Sequence, residues 1–448
     1  MITRNRTKFS EKQVALIWQQ VVGKELISTE GEPIEVIYPG RANGGTGPDY
    51  RDAVIVSKPN LIQGDIELHV NSDDWYNHAH HCDNKYNNVI LHTVMWHDCQ
   101  SSTLLQNGKS VPVLCLAQAL QHQPYLLPHQ LPCAQLINHM DRQTLRKLLN
   151  AAGEERFKQK AMHFQTEILR HGSNGAQKAD GGQVLFQGMM RALGYTKNTK
   201  PFEELATRMP LKFIESRKGL VLKQALLLGT AGLLPSQRWE RNLEAEKEVQ
   251  KLEHLWESAG KKVKTMKGRD WNFSHIYPNN SPVRRIIALS YLTERYHEGT
   301  LLTGILQLVK QTPLHAGHRT LESGLTVAGD GYWREHFDFD VTSKTKITSL
   351  KYGILLGNSK AGEIIVNVVL PFAFAWGEIN NEAMLTEKAM ELYRGYPRLA
   401  EHCITQHMAK QLGLEELPNF TACHQQGLIH LFRNYCRQGR CSKCSLIS

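Results

Sequence analysis

The stretch GGTGPDYRDAVIV at positions 44–56, together with GDIELHVNSDDWYNHAHHCDNKYNNVILHTVMWHD at positions 64–98, decides the fold of the first part of this chain. Two acids stand out in it. Asp49 directly follows a Gly-Pro turn, and Glu67 lies inside a run whose alternation is typical of a β-strand. These features predict two neighbouring strands that each carry one acid, beside a segment dense in histidine.

The residues on either side of the two acids predict a helix followed by a sheet. Apolar residues from Val14 to Val22 recur with helical spacing after Ser10, which is a favourable N-cap. The predicted elements are, in chain order, a helix at 8–27, strands at 33–40, 53–57 and 61–70, a helix at 78–86, and strands at 89–96 and 112–116.

The texture of the sequence changes near residue 120. A Gln- and Pro-rich run at 118–133 reads as a linker, and apolar residues then recur at helical spacing as far as about residue 410. A chain of 448 residues is also too long for one average core. We therefore predict an α+β domain at 1–125, a mainly helical domain at 126–415 and a cysteine-rich tip at 416–448.

The chain is basic, with 53 Lys and Arg residues against 43 Asp and Glu residues and a formal net charge of +10. A basic balance favours polyanionic partners, because each neutralised phosphate releases counterions. The N-terminal residues lack the apolar core of a secretory signal, and no uninterrupted apolar run approaches the ~20 residues that span a bilayer. These observations predict a cytoplasmic protein.

The two acids have the chemistry of a divalent-metal site. Mg²⁺ and ions like it prefer carboxylate oxygens, and two carboxylates on neighbouring strands can supply them. A bound cation polarises a phosphate and activates water. His69 follows Glu67 by two residues and so points to the same face of the strand. We expect Asp49 and Glu67 to bind Mg²⁺ or Mn²⁺, with His69 as the third catalytic residue.

The spacing of these residues resembles the PD-(D/E)xK nuclease superfamily, with Pro48-Asp49 as its first half and Glu67-Leu68-His69 as its second. The resemblance covers about the first 120 residues. It implies a restriction-endonuclease-like α/β/α domain, phosphodiester hydrolysis, and nucleic acid as partner, with DNA ahead of RNA. His69 stands where that superfamily usually has lysine, and a neutral imidazole does not supply a permanent positive charge.

The histidines after the second strand offer a second set of ligands. His78 and His81 would share one face of a helix, and imidazole favours transition metals over calcium. We take His78, His81 and Trp75 as candidate substrate-binding residues, with a structural role as the alternative for each. A histidine-centred metal hydrolase is therefore an alternative function.

Four of the nine cysteines crowd the last 26 residues, as Cys423, Cys436, Cys441 and Cys444. The Cys441-x-x-Cys444 pair is a knuckle through which two thiolates can meet one metal. Four thiolates suit a structural Zn²⁺, with a [4Fe–4S] cluster as the alternative. Several nucleases of the superfamily named above carry such a cluster.

Seven further strings resemble an uncharacterised bacterial family, domain-of-unknown-function family 2851. They are GPDYRDAVI, GDIELHV, DWYNHAHH, YNNVILHTV, YWREHF, VNVVLPFAFAWG and QQGLIHLFRNYC. This resemblance spans nearly the whole chain and implies a composite architecture without a function. The leading hypothesis is a metal-dependent nuclease. The alternatives are a catalytically inactive nucleic-acid-binding protein that kept the nuclease fold, and the histidine-centred hydrolase.

Overall fold

A computed structural model describes residues 10–57, 60–97, 103–121, 133, 140–172, 180–238, 247–260, 263–274, 276–339, 353–414 and 420–446. The chain divides into two units. The first comprises Met1–Ala152, Glu401–Pro418 and Gly427–Ser448, and the second comprises Gly153–Ala400 and Asn419–Gln426. The predicted mixed α+β class, with sheet near the N-terminus and helices after it, is confirmed. Most of the predicted linker lies outside the described residues.

A seven-stranded sheet forms the centre of the first unit. Its strands are β1 (Glu25–Ile27), β2 (Pro33–Tyr38), β3 (Arg41–Ala42), β4 (Tyr50–Ser57), β5 (Asn60–Asn71) and β6 (Val89–Trp96), and, after a small hairpin of β7 (Thr103–Leu104) and β8 (Ser110–Val111), β9 (Val113–Cys115). The order is β1-β2-β4-β5-β6-β9, and β3 pairs with β4. Strands β5, β6 and β9 are parallel, while the remaining pairs are antiparallel.

The alternation of side chains along β5 explains how this sheet carries both a core and a polar site. Ile66 and Leu68 belong to the apolar core of the unit. Asp65, Glu67 and His69 point to the opposite face, because successive strand residues alternate, and they are nevertheless buried. The sheet therefore presents a row of buried polar groups on the face away from its apolar core.

Helix α1 (Glu11–Trp18) packs its buried Val14 and Trp18 into that apolar core. The indole of Trp18 donates a hydrogen bond to the carbonyl of Pro39 at 3.0 Å. The helix predicted over 8–27 is too long, since it ends at Trp18 and the chain has already turned into β1 by residue 25. Gly23, at φ +71°, lies in that turn.

The helix predicted over 78–86 is also wrong. Helix α2 is short, Asp74–Asn77, and two 3₁₀ turns follow it at His80–Cys82 and Asn84–Tyr86. Ala79 separates the helix from the first turn with φ +58°, a left-handed conformation that L-residues rarely adopt. Because the backbone changes direction at Ala79, the histidines after it do not lie on the faces that a continuous helix would give them. The strands predicted in this part of the chain are confirmed.

Helices dominate the rest of the described chain. They are α3 (Leu116–Gln121), α4 (Arg142–Gly172), α5 (Gly181–Leu193), α6 (Thr199–Arg208), α7 (Leu211–Glu215), α8 (Leu220–Ala231), α9 (Lys247–Ala259), α10 (Pro282–Arg295), α11 (Leu301–Gln311), α12 (Gly317–Leu325), α13 (Gly331–Glu335), α14 (Asn358–Ile364), α15 (Leu370–Asn380), α16 (Ala383–Arg394), α17 (Cys403–Gln411) and α18 (Ala422–Asn434). The second unit has its own apolar core. One small antiparallel pair, β10 (Val327–Ala328) with β11 (Ile354–Leu356), lies in it.

Two buried arginines of α10 donate hydrogen bonds to backbone carbonyls in and near the β10–β11 pair. Arg285 donates to the carbonyl of Leu355 at 2.7 Å, and Arg284 donates to the carbonyl of His336 at 2.5 Å. Buried guanidinium groups need such partners, because an unsatisfied buried charge is strongly destabilising. These arginines serve the scaffold of the helical unit.

The stretch Asn358–Asn380 is a continuous helical segment of 23 residues whose most apolar 18-residue window has a mean hydropathy of 1.4, so that by length and composition it could cross a membrane. From the sequence we expect no apolar run long enough to span a bilayer. Sequence reasoning does not identify this segment, because polar residues such as Lys360 and Asn367 interrupt the apolar run. In the structure 67% of its most apolar window is buried. A buried core helix meets the same length and composition test.

Gly64 in β5 offers a test of the sheet packing. An added Cβ would lie 2.4 Å from Cγ2 of Ile90 and 2.5 Å from the carbonyl oxygen of Asn88. We expect Gly64→Ala to lower the free energy of unfolding by roughly 1–3 kcal/mol, as overpacking does. Gly44→Ala is the matched control, since a Cβ there meets nothing within 4 Å. Equal urea midpoints for the two variants would contradict this packing.

Candidate functional site

Asp49 and Glu67 lie against each other at the start of β4 and in the middle of β5. The amide of Asp49 donates to Oε2 of Glu67 at 3.0 Å, and the amide of Leu68 donates to Oδ2 of Asp49 at 3.1 Å. Each carboxylate is thus held by a backbone amide from the segment that carries the other. This reciprocal arrangement brings together the two acids that the sequence singled out.

A β-bulge next to Asp49 shapes this corner of the sheet. The register between β4 and β5 shifts between Tyr50 and Ala53, and Asp52 adopts φ +59° there. The carboxylate of Asp65 accepts a hydrogen bond from the amide of Asp52 at 3.1 Å and lies 3.9 Å from the guanidinium of Arg51. Bulges of this kind re-aim side chains and recur beside active sites.

Three histidines form a hydrogen-bonded chain behind the two acids. Nδ1 of His69 lies 2.9 Å from Nε2 of His92, whose Nδ1 lies 2.9 Å from Oγ1 of Thr103. On the other side of the ring, Nε2 of His69 lies 3.2 Å from Nδ1 of His78. His69 and His92 are fully buried, while His78 is exposed. The chain therefore runs from the protein interior to its surface.

Two proton arrangements satisfy this chain of rings. In one, His92 donates to Thr103 and His69 donates to His92, which leaves a lone pair on Nε2 of His69 facing the acids. In the other, every proton is shifted and the same nitrogen becomes a donor towards His78. The first arrangement is the one in which a buried partner orients an imidazole that binds a metal.

His80 completes the group because the left-handed Ala79 turns it inward. Its ring stacks on Tyr86 at 4.0 Å and on His69 at 5.2 Å, measured between centroids. Its Nε2 lies 3.2 Å from Oε1 of Glu67 and has no hydrogen-bond partner of good geometry. One ligand nitrogen from each of His69, His78 and His80 lies within 4.8 Å of the other two.

The electrostatics of the site favour a bound cation. Burial, reinforced by the nearby charge of Glu67, raises the pKa of Asp49 from 3.8 to about 7. Burial, with the neighbouring His80 and His78, lowers the pKa of His69 from 6.5 to about 3, and burial also lowers the pKa of His92. The rings of His69 and His92 are therefore neutral, and the carboxylate pair carries a repulsion that a divalent cation would relieve.

Two overlapping ligand sets result from this geometry. Asp49 and Glu67 provide the carboxylate oxygens that Mg²⁺ prefers. His69, His78 and His80 provide three nitrogens close to one another, and those of His69 and His80 lie 3.6 and 3.2 Å from Glu67 Oε1. This mixture of ligands suits Zn²⁺ or Mn²⁺ better. Both sets share Glu67, so the donor groups fit one cation at this corner of the sheet.

The other sequence-predicted residues are placed differently. Trp75 is fully buried, donates its indole N–H to the carbonyl of Leu104 at 3.0 Å, and packs against His80 and His92. Its ring supports the histidines and offers no face to a nucleic-acid base. His81 contacts Tyr76 with a centroid distance of 5.0 Å and is outside the three-histidine group.

Sequence reasoning ranked His81 above His80 and did not select Asp65 or Arg51. The only sequence signal for Asp65 was its alternation with Glu67 along β5. No signal marked Ala79 as left-handed, because that conformation favours glycine or asparagine rather than alanine.

The cysteines of the predicted tip separate into the two units. Cys436, Cys441 and Cys444 line a cavity of about 210 Å³ in the first unit, together with Cys133. Cys423 belongs to the second unit. Its carbonyl group and its sulfur pack against Gly153, and its side chain forms a hydrogen bond with the side chain of Tyr393. Gly153 is required there, since an added Cβ would lie 2.2 Å from the carbonyl oxygen of Cys423.

Together, the fold and the site define an α+β protein with a buried carboxylate–histidine centre on its sheet. The chain belongs to the family described as protein of unknown function (DUF2851), whose model matches residues 11–401. No curated protein matches the chain, and no solved structure matches it. The matched span contains Asp49, Glu67, the histidines and Cys133, whereas the last three cysteines lie beyond it.

The raised pKa of Asp49 gives a prediction for metal-free protein. The folded chain keeps this proton up to about pH 7, while the unfolded chain releases it near ~3.9. Wild-type stability therefore falls as pH rises from about 4 to 7 through this group. We expect the melting temperature of Asp49→Asn, relative to wild type, to increase across that range in the presence of chelator.

Asp73→Asn, at an exposed carboxylate, controls for the loss of one charge. Calorimetry at several pH values measures all three proteins. A difference in melting temperature between Asp49→Asn and wild type that stays constant from pH 4 to 7 would rule out a raised pKa of Asp49.

Proposed function

We propose that this protein is a metal-dependent nuclease that hydrolyses phosphodiester bonds of nucleic acid, with Asp49 and Glu67 as ligands of Mg²⁺ or Mn²⁺. The observation that carries the proposal is the reciprocal contact of the half-buried Asp49 and the buried Glu67, each of which is held by a backbone amide of the other segment. Like charges placed together in a buried site are unfavourable unless a cation joins them.

The order of elements supports the proposal. Helix α1 precedes the antiparallel strands β2, β4 and β5, and after α2 the chain returns to β6, which is parallel to β5. The PD-(D/E)xK resemblance implies this order, with acids on the same two strands. The net charge of +10 suits a polyanionic substrate.

His69 has a different role from the lysine it replaces. Its low pKa keeps the ring neutral, so it does not offset the charge of a phosphate. Its two ring nitrogens instead connect the buried His92 to His78, which lies at the surface. Arg51, which is held at the bulge beside Asp65, is the permanent positive charge at this corner.

A bound cation would polarise a phosphate and lower the pKa of a water molecule. Glu67 and Asp49 would hold it, and His80 would restrain Glu67 through its contact at 3.2 Å. His78 is placed to exchange a proton between this centre and solvent, because it is the exposed end of the histidine chain.

The test is cleavage of single- and double-stranded DNA and RNA with Mg²⁺ or Mn²⁺. We expect Glu67→Gln and Asp49→Asn to reduce the rate roughly 100-fold or more, because each removes a ligand of the ion that stabilises the transition state. Glu30→Gln, at an exposed acid, is the matched control. Activity that survives Glu67→Gln would exclude this site. Binding without cleavage by any sample would favour the inactive nucleic-acid-binding protein.

A second candidate is a histidine-centred metal hydrolase with a non-nucleic substrate. The observation that favours it is the close approach of His69, His78 and His80, whose ligand nitrogens lie within 4.8 Å of one another. Such a site would take Zn²⁺ in preference to Mg²⁺.

Calorimetric metal titration separates the two candidates. Under the nuclease proposal, Asp49→Asn weakens Mg²⁺ or Mn²⁺ binding more than His78→Ala does, because oxygen ligands dominate. His81→Ala is the matched control, since His81 is outside the three-histidine group. Tight Zn²⁺ binding that persists in Asp49→Asn and disappears in His78→Ala would support the histidine-centred hydrolase instead.

A further inference from the structure

Four cysteines from distant parts of the sequence line one cavity in the first unit. Cys133, Cys436, Cys441 and Cys444 share a space of about 210 Å³ whose other walls are largely apolar. All eight cysteines in the described part of the chain are free thiols. Thiols gathered in this way are metal ligands more often than packing residues, since the thiolate is a strong ligand.

The C-terminal residues 436–446, here called the tail, are folded so that the sulfurs of three cysteines reach this cavity. Cys436 begins one 3₁₀ turn and Cys441 begins a second, with Gly439 between them at φ +62°. A Cβ at Gly439 would lie 2.9 Å from Cδ1 of Leu61, so glycine allows the tail to pack on β5. The amide of Cys444 donates to the carbonyl of Cys441 at 3.0 Å, which closes the knuckle.

Cys133 supplies the fourth sulfur. It is buried, and the side-chain amide of Gln411 donates to its sulfur at 3.1 Å. An N–H donor of this kind stabilises a thiolate and orients it, as the outer hydrogen bonds of metal sites do. Cys423, which sequence spacing had placed in this set, is committed to the core of the helical unit.

The separation of the sulfurs distinguishes a single ion from a cluster. A tetrahedral Zn²⁺ with Zn–S bonds of ~2.3 Å holds its sulfurs about 3.8 Å apart. In the described residues, no three of these sulfurs lie within 4.8 Å of one another, whereas the three histidine ligands do. An iron–sulfur cluster is bulkier than one ion, spreads its four cysteine ligands further, and needs a cavity between them.

We propose that Cys133, Cys436, Cys441 and Cys444 hold a [4Fe–4S] cluster that fastens the tail to the sheet of the first unit. Its ligands come from residue 133 and from the tail, and the cavity also touches Val56 of β4 and Leu61 of β5. The cluster has a structural role, because it lies among apolar side chains and stabilises a tail that is too short to form an apolar core of its own. This inference is independent of the proposed nuclease activity.

Metal and sulfide analysis of the full-length chain, purified without oxygen, tests the proposal. We expect about four irons and four acid-labile sulfides per chain, with the broad visible absorption of thiolate-bound iron. Cys133→Ser should lose most of the iron and the absorption. Cys423→Ser is the matched control and should keep both. About one zinc per chain without iron would overturn the cluster, and iron that survives Cys133→Ser would overturn the ligand set.

Thiol labelling of the wild type covers the case in which Cys133→Ser does not fold. Each cysteine is followed by mass spectrometry before and after the iron is removed with an oxidant and chelator. Cys133, Cys436, Cys441 and Cys444 should gain reactivity together, while the exposed Cys82 reacts throughout and Cys423 does not change. Unchanged reactivity of Cys133 on iron removal would overturn the proposal. A chain that holds iron but cleaves no nucleic acid would leave it intact.

Discussion

The close placement of the half-buried Asp49 and the buried Glu67 is the constraint on which the N-terminal unit depends. Asp49 and Glu67 would repel each other if both were ionised without a partner, and burial strengthens that repulsion. The protein keeps them together with two backbone amides and a bulge at which the amide of Asp52 donates to Asp65, and the ring of His80 lies 3.2 Å from Glu67. Each of these devices stabilises a geometry that is unfavourable by itself, as is typical of sites built for a ligand.

The strands could be predicted from the sequence because their signals are local. In β5, two-residue alternation places Ile66 and Leu68 on one face and Glu67 and His69 on the other, and no long-range information is needed. The pairing of Asp49 with Glu67 followed from the same local pattern, once the turn between the strands was recognised.

Other features depend on contacts that no local pattern encodes. Helix α1 ends at Trp18, whose indole packs in the apolar core and donates a hydrogen bond to the carbonyl of Pro39. The helical spacing of apolar residues alone predicts a longer helix. The inward turn of His80 depends on a left-handed alanine. The choice between Cys133 and Cys423 depends on the tertiary fold, because proximity in sequence favours Cys423 and helix α18 buries that residue elsewhere.

The division of the chain has a consequence for its synthesis. The first unit contains Met1–Ala152 together with Glu401–Pro418 and Gly427–Ser448, and most of the helical unit, Gly153–Ala400, lies between these segments in the sequence. On the ribosome all seven strands of the sheet emerge first, whereas Glu401–Pro418 and Gly427–Ser448 emerge only after most of the helical unit. The residues of β2, β4 and β5 that line the cysteine cavity remain uncovered during that interval. Transiently exposed apolar surface of this kind invites chaperone binding, and closing the unit joins segments that are far apart in the sequence.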